Sequence, residues 1–175
     1  MEGGIPAINP SQLIDGEIRP DYKISVSEKT ALKLERHRLV EGDIVFGRRG
    51  EMGRCGLVAA QEVGWLCGTG SILFRPKTEY ISPRFALAVL RSHCIKSTLE
   101  YISVGATMDN LNTAILSKIS LPIPPLDEQK QIVIGIEKIK EDFSELISRQ
   151  LKEIDLLNEM RQVMIASAVT GKIKV

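Results

Sequence analysis

An unbroken stretch from Asp127 to Ala168 contains no proline and a single glycine, Gly135. It follows Leu121-Pro122-Ile123-Pro124-Pro125, a segment that cannot be helical because its prolines lack donors and push preceding residues toward extended geometry. The contrast predicts a stiff connector feeding one very long helix, with Asp127 as N-cap and Glu128 complementing the dipole. At ~1.5 Å per residue, about 40 helical residues make a rod roughly 60 Å long. A domain of ~125 residues is only ~30 Å across, so such a helix must project or find a partner.

The apolar pattern of this stretch supports a partner. Ile132, Ile136, Ile139, Phe143 and Leu146 fall at spacings alternating four and three, a coiled-coil seam. The seam then shifts to Ile147, Leu151, Ile154 and Leu157, as in a stutter. Burying such side chains is worth ~1.5–3 kcal/mol each. The expectation is a homodimer through this helix, carried by Ile132, Ile136, Ile139, Phe143, Ile147, Leu151, Ile154 and Leu157. Gln129, Lys130, Lys138 and Glu141 are expected on the outer face.

Residues 1–125 have a different texture, with 12 of the 14 glycines and all eight prolines. Short elements joined by turns are expected there. Ser27 to Leu34 reads as a short helix capped by Ser27, and Asp43 to Phe46 as a buried strand ending at Gly47. Gly56–Ala60 and Ser71–Arg75 read as further strands. Ser82-Pro83 opens a helix that carries on through His93-Cys94, with Ser82 as its cap. Strands mixed with short helices imply an α+β or irregular α/β domain, followed by the long C-terminal coiled-coil-type helix; α+β is the fold class adopted.

Composition excludes several classes. Lys plus Arg total 23 against 22 Asp plus Glu, so any nucleic-acid contact must come from local patches. A 43% hydrophobic content excludes wholesale disorder. No apolar run approaches the ~20 residues needed to cross a bilayer. Three cysteines at non-motif spacings, Cys55, Cys67 and Cys94, read as reduced thiols of a cytoplasmic chain. His37 and His93 are the only histidines, and no metal site or Cys–His nucleophile is expected from them. Asp15/Glu17 and Asp127/Glu128 read as turn and cap residues, not an acid–base couple.

One cluster carries binding chemistry. Gly47-Arg48-Arg49-Gly50-Glu51-Met52-Gly53-Arg54 follows a strand and packs three arginines among three glycines. Arginine forks suit phosphates and guanine edges, and glycine allows close backbone approach. The alternative is a solvated turn whose arginines pair with Glu51 or Asp43. Candidate DNA-facing residues are Arg48, Arg49 and Arg54, with Arg75 and Lys77 from the neighbouring strand end. The spacing fits neither a Walker A loop nor a dinucleotide fingerprint.

Gly105-Ala106-Thr107, Leu111-Asn112, Leu116 and then Ile119 through Pro124-Pro125-Leu126-Asp127-Glu128-Gln129 resemble the specificity subunit of type I restriction-modification systems. Gly42-Asp43-Ile44-Val45-Phe46 with Arg48, Gly50, Gly53 and Arg54 is similar to that family's central strand and turn. Ala166-Ser167-Ala168-Val169-Thr170-Gly171 resembles the end of its spacer helix. The resemblance implies a target recognition domain at 1–125 and a helical spacer at 126–175. It implies a non-catalytic reader of double-stranded DNA that scaffolds methyltransferase and restriction subunits. S-adenosylmethionine, ATP and Mg²⁺ would belong to those partners and no cofactor to this chain. One domain and one helix, where the family usually has two of each, imply a half-size form, short at the N-terminus. A module that pairs through its helix and reads no DNA is the alternative.

Overall fold

The computed structural model describes residues 4–48, 53–103 and 111–172. They form two compact units, residues 1–133 and 134–175. The architecture is α+β, with mixed sheets and a long C-terminal helix.

The first unit opens with β1 (Ile5–Ile8), then a hairpin of β2 (Leu13–Ile14) and β3 (Glu17–Ile18). Asp15 and Gly16 close that hairpin at φ 53° and 88°, the positive pair a tight two-residue turn requires. Next come β4 (Ser25–Val26) and α1 (Glu28–Lys33). Ser27 caps α1 as the sequence predicts, its Oγ accepting from the Thr30 amide at 3.3 Å.

Three strands follow that build the centre: β5 (Ile44–Gly47), β6 (Cys55–Leu57) and, after β7 (Leu66–Cys67), β8 (Ser71–Phe74). β5 lies between β6 and β8, antiparallel to both. A separate sheet places β1 between β4 and β7, antiparallel to the first and parallel to the second.

Strand alternation decides how β5 is used. Ile44 and Phe46 enter one apolar cluster with Phe85, Leu90, Leu99 and Leu111. Val45 points into the other, with Ile8, Leu13, Leu39 and Val58. Buried on both faces, β5 reads as a continuous apolar run, and that run made it legible.

Helices α2 (Pro83–Leu90) and α3 (His93–Ser103) cover one side of this centre. Here the sequence reading needs two corrections. The helix opened by Ser82-Pro83 ends at Leu90, and His93-Cys94 begin a second helix after the Arg91-Ser92 turn. Ser82 occupies the N-cap of α2, but its side chain makes no capping hydrogen bond. The predicted strand at Gly56–Ala60 is also shorter, because Ala60–Glu62 turn into a 3₁₀ segment held by Glu62 Oε2 on the Ala59 amide.

After α4 (Thr113–Leu116) comes α5, Leu126–Val169, beginning one residue ahead of its expected cap. Asp127 therefore sits inside the first turn. The first two turns of α5 belong to the first unit, with Val133 packed against the larger cluster and Gln129 wholly buried. Gln129 was expected on the outer face; instead it donates to the Tyr80 and Pro124 carbonyls and accepts from the Ser82 amide. Those backbone groups would otherwise lie unpaired, so the amide faces inward.

In the second unit, Phe143, Ile147, Leu151, Ile154 and Leu157 each leave more than half of their surface exposed. The helix ends in a Schellman motif: Lys172 N–H bonds Ser167 O, Gly171 N–H bonds Ala168 O, and Gly171 adopts φ 70°. No helix among the described residues is long and apolar enough to cross a membrane.

Candidate nucleic-acid interface

The β5–β6 pairing sets the base of the arginine-rich turn. Gly47 N–H bonds Arg54 O at 2.8 Å, so Arg48 and Arg54 leave the sheet at the same end. Arg48 is tied in three ways: its amide to Gly70 O, its carbonyl to the Leu111 amide, and its Nε to Leu111 O at 3.0 Å. The guanidinium is thereby held at its inner edge and aimed by the backbone around it. Arg54 Nη1 reaches Pro10 O at 3.5 Å. Arg49 lies outside the described residues.

The remaining two candidates are elsewhere. In the β5–β8 register, Gly47 faces Ser71 and Ile44 faces Phe74. Arg75 and Lys77 follow Phe74, so they leave the opposite end of the sheet, roughly 10 Å away at ~3.4 Å per residue. Adjacent strands in an antiparallel pair run in opposite directions, and that separates them. Arg75 also closes a fork on the buried Asp43, Nε to Oδ1 at 2.7 Å and Nη2 to Oδ2 at 2.8 Å. That hydrogen bond raises the Arg75 pKa against the lowering effect of burial. Asp43 thus pairs with Arg75, a residue expected to face DNA.

Two cations that the linear reading missed join Arg54 instead. Arg91 and Lys96, from the α2–α3 corner, line a cleft of about 450 Å³ with Arg54, Gly53 and the Asp15-Gly16 turn. Arg91 Nη1 donates to Asp15 O at 2.6 Å, fixing the hairpin turn to the end of α2. Gly53, at φ 81°, is a backbone position that side-chain-bearing residues avoid. Nearly forty residues separate Arg54 from Arg91. Only the break between α2 and α3 could have signalled the cluster, and the sequence reads there as one helix.

Cys55 also lines the cleft, and burial pushes its thiol up to about 12. It stays protonated at neutral pH and supplies no nucleophile. Among the described residues no group of His, Cys, Asp and Glu could hold a metal ion.

The family model for the type I restriction modification DNA specificity domain matches residues 1–156. The chain belongs to this family. Among specificity-domain relatives, it is 33% identical over 141 residues to the putative type I restriction enzyme MjaX specificity subunit of Methanocaldococcus jannaschii, covering 78% of this chain and 32% of that one. It is 25% identical over 172 residues to the type I restriction enzyme EcoKI specificity subunit of Escherichia coli, covering 97% and 36%. The chain thus spans about a third of the length of these curated relatives.

Solved structures show the same fold. The HsdS subunit of Thermoanaerobacter tengcongensis superposes with a TM-score of 0.65 at 24% identity, over 81% of this chain and 37% of that one. A chain from a type I R-M system, solved for its complex assembly and conformational transition, gives 0.70 at 22% identity, over 95% and 43%. In this specificity domain the Pro124-Pro125-Leu126 entry and Gln129 anchor the helix.

Proposed function

We propose that this chain is a DNA-reading domain with its spacer helix, acting in the non-catalytic specificity subunit of a type I restriction-modification system. The observation that carries the reading is the turn after β5: Arg48 is braced by Gly70 and Leu111 in a chain of the DNA specificity family. Bracing lowers the entropy lost when a fork engages a base edge. In this reading Arg48, Arg49 and Arg54 face DNA. At the far end of the sheet Arg75 is engaged by Asp43, and Lys77 would add positive charge rather than a base-reading fork.

The spacer helix supplies assembly. Its exposed seam from Ile139 to Leu157 is larger than a lone helix keeps in water, which supports pairing with the helix of a second copy, related by a twofold axis. Antiparallel pairing would set two identical readers at opposite ends and specify an interrupted palindrome. Methyltransferase and restriction subunits would dock on this scaffold, with Lys130, Lys138 and Glu141 on the outward face. Those partners would bring S-adenosylmethionine, ATP and Mg²⁺, and the assembly would work in the cytoplasm.

Co-expression with the cognate methyltransferase subunit, followed by mapping of methylated sites, tests the reading. A bipartite methylated sequence that vanishes when this chain is omitted is the expected result. Alanine at Arg48 or Arg54 should cost roughly 1–3 kcal/mol and relax one position if the fork reads a base. Light scattering should give a dimer that Phe143→Glu splits. A chain that dimerises yet shifts no duplex would be an interaction module, and the DNA reading would fall.

A further inference from the structure

We propose that Thr69, in the turn between β7 and β8, is a further specificity-determining residue that contacts a base edge beside the one Arg48 meets. This rests on the DNA-reading function proposed above. The β5–β8 register pairs Gly47 with Ser71, so the chain leaving β5 and the chain entering β8 lie at one end of the sheet. There the Arg48 amide donates to Gly70 O at 2.9 Å. One backbone hydrogen bond thus ties the residue that carries the fork to the turn that carries Thr69.

That turn is built to hold a single side chain forward. Ser71 N–H bonds Gly68 O at 3.0 Å, closing a four-residue β-turn with Thr69 and Gly70 at its centre. Gly68 N–H bonds Ile8 O at 2.9 Å, which fastens the turn to the end of β1. A Cβ at Gly68 would lie 2.5 Å from Asn9 Oδ1 and 2.7 Å from Ile8 O, and one at Gly70 would crowd Pro10 Cδ at 3.1 Å. The backbone is therefore flush against the Asn9-Pro10 segment on both sides of Thr69. Thr69 itself is exposed.

A threonine suits a base edge. Its hydroxyl both donates and accepts, and its methyl packs against the methyl of thymine. Among the described residues the Thr69 hydroxyl holds no hydrogen bond, so a ligand engages it without breaking a contact. Fastened at Ile8 and at Arg48, the turn has little freedom left to lose on binding. The side chain is uncharged and releases no counterion, so its contribution is to which base is accepted rather than to general affinity.

The test uses the full chain co-expressed with the cognate methyltransferase subunit, with relative methylation mapped over single-base variants of the site. Thr69→Ala should lose discrimination at one position by roughly tenfold. Arg48→Ala should relax a different position. Thr69→Ser keeps the hydroxyl and Thr69→Val the methyl, and at least one of them should hold the wild-type site more closely than alanine does. An unchanged unfolding midpoint in these variants separates lost readout from lost fold. A wild-type methylation pattern in Thr69→Ala overturns the proposal and spares the DNA reading. Equal weakening on every sequence also overturns it, since that marks a phosphate contact. A wild-type chain that assembles with the methyltransferase yet directs it to no sequence overturns both.

Discussion

The Gln129 side-chain oxygen accepts the Ser82 amide proton at 2.8 Å, so the first turn of α5 serves the N-terminus of α2. Its Nε2 closes the arrangement on Tyr80 O and Pro124 O, both at 2.8 Å. One wholly buried amide thus joins three segments of the first unit.

Gln129→Ala should therefore cost about 3 kcal/mol, because it leaves buried backbone groups unpaired. Gln129→Glu should cost more. A carboxylate accepts from Ser82 but donates to neither carbonyl, and it buries a charge. Urea unfolding followed by fluorescence of Trp65, the single tryptophan, reads the first unit directly.

Asp43 gives a second case. Its carboxylate is buried and accepts from Arg75 twice and from the Val40 amide. Arg75→Ala strands that charge. A fully buried pair would lose about 3–5 kcal/mol on losing one partner. Arg75 is 54% exposed and screened by water, so about 1–3 kcal/mol is expected. Arg75→Lys should recover only part, since a lysine cannot reproduce the fork. Midpoints of chemical denaturation check the order.

Gly16 and Arg91 should be coupled. A Cβ at Gly16 would sit 2.6 Å from Arg91 Nη1, in a backbone already at φ 88°. Gly16→Ala should cost about 1–3 kcal/mol, part of it strain and part the displaced guanidinium. With Arg91→Ala in place the same change should cost less. A double-mutant cycle measures the difference, and strict additivity would refute the coupling.

The thiols predict a pH dependence. Burial pushes Cys55 from 9.0 up to about 12 and Cys67 up to about 11, Arg91 partly offsetting the first. The folded state holds these protons more tightly than the unfolded chain. Their contribution is fully present below pH 9, then falls as pH rises toward 11 and 12, by up to about 1.4 kcal/mol per pH unit for each thiol. Unfolding midpoints at pH 8 and pH 10.5 should show the loss, and Cys55→Ser should reduce it. Alkylation at pH 8 should reach the exposed Cys94 first and Cys55 only on unfolding.

What the sequence determined by itself is whatever depends on near neighbours along the chain. The proline connector and the unbroken apolar period announce α5, Ser27 its own helix cap, and the run of Ile44 to Phe46 a strand buried on both faces. The family was legible too, in the Pro124-Pro125-Leu126 entry and the turn after β5. Tertiary structure decided which distant residues meet. The two-residue strands of the first thirty residues owe their existence to partners, since too few residues alternate there to show a period. Antiparallel register carried Arg75 and Lys77 away from Arg48, although their order along the chain suggested a shared strand end. The α2–α3 corner brought Arg91 and Lys96 to Arg54, a meeting no local spacing encodes. Gln129 looked like one more polar residue on a helix face. It is buried because three backbone groups from two other segments needed its amide, and a requirement of that kind exists only once the chain has folded.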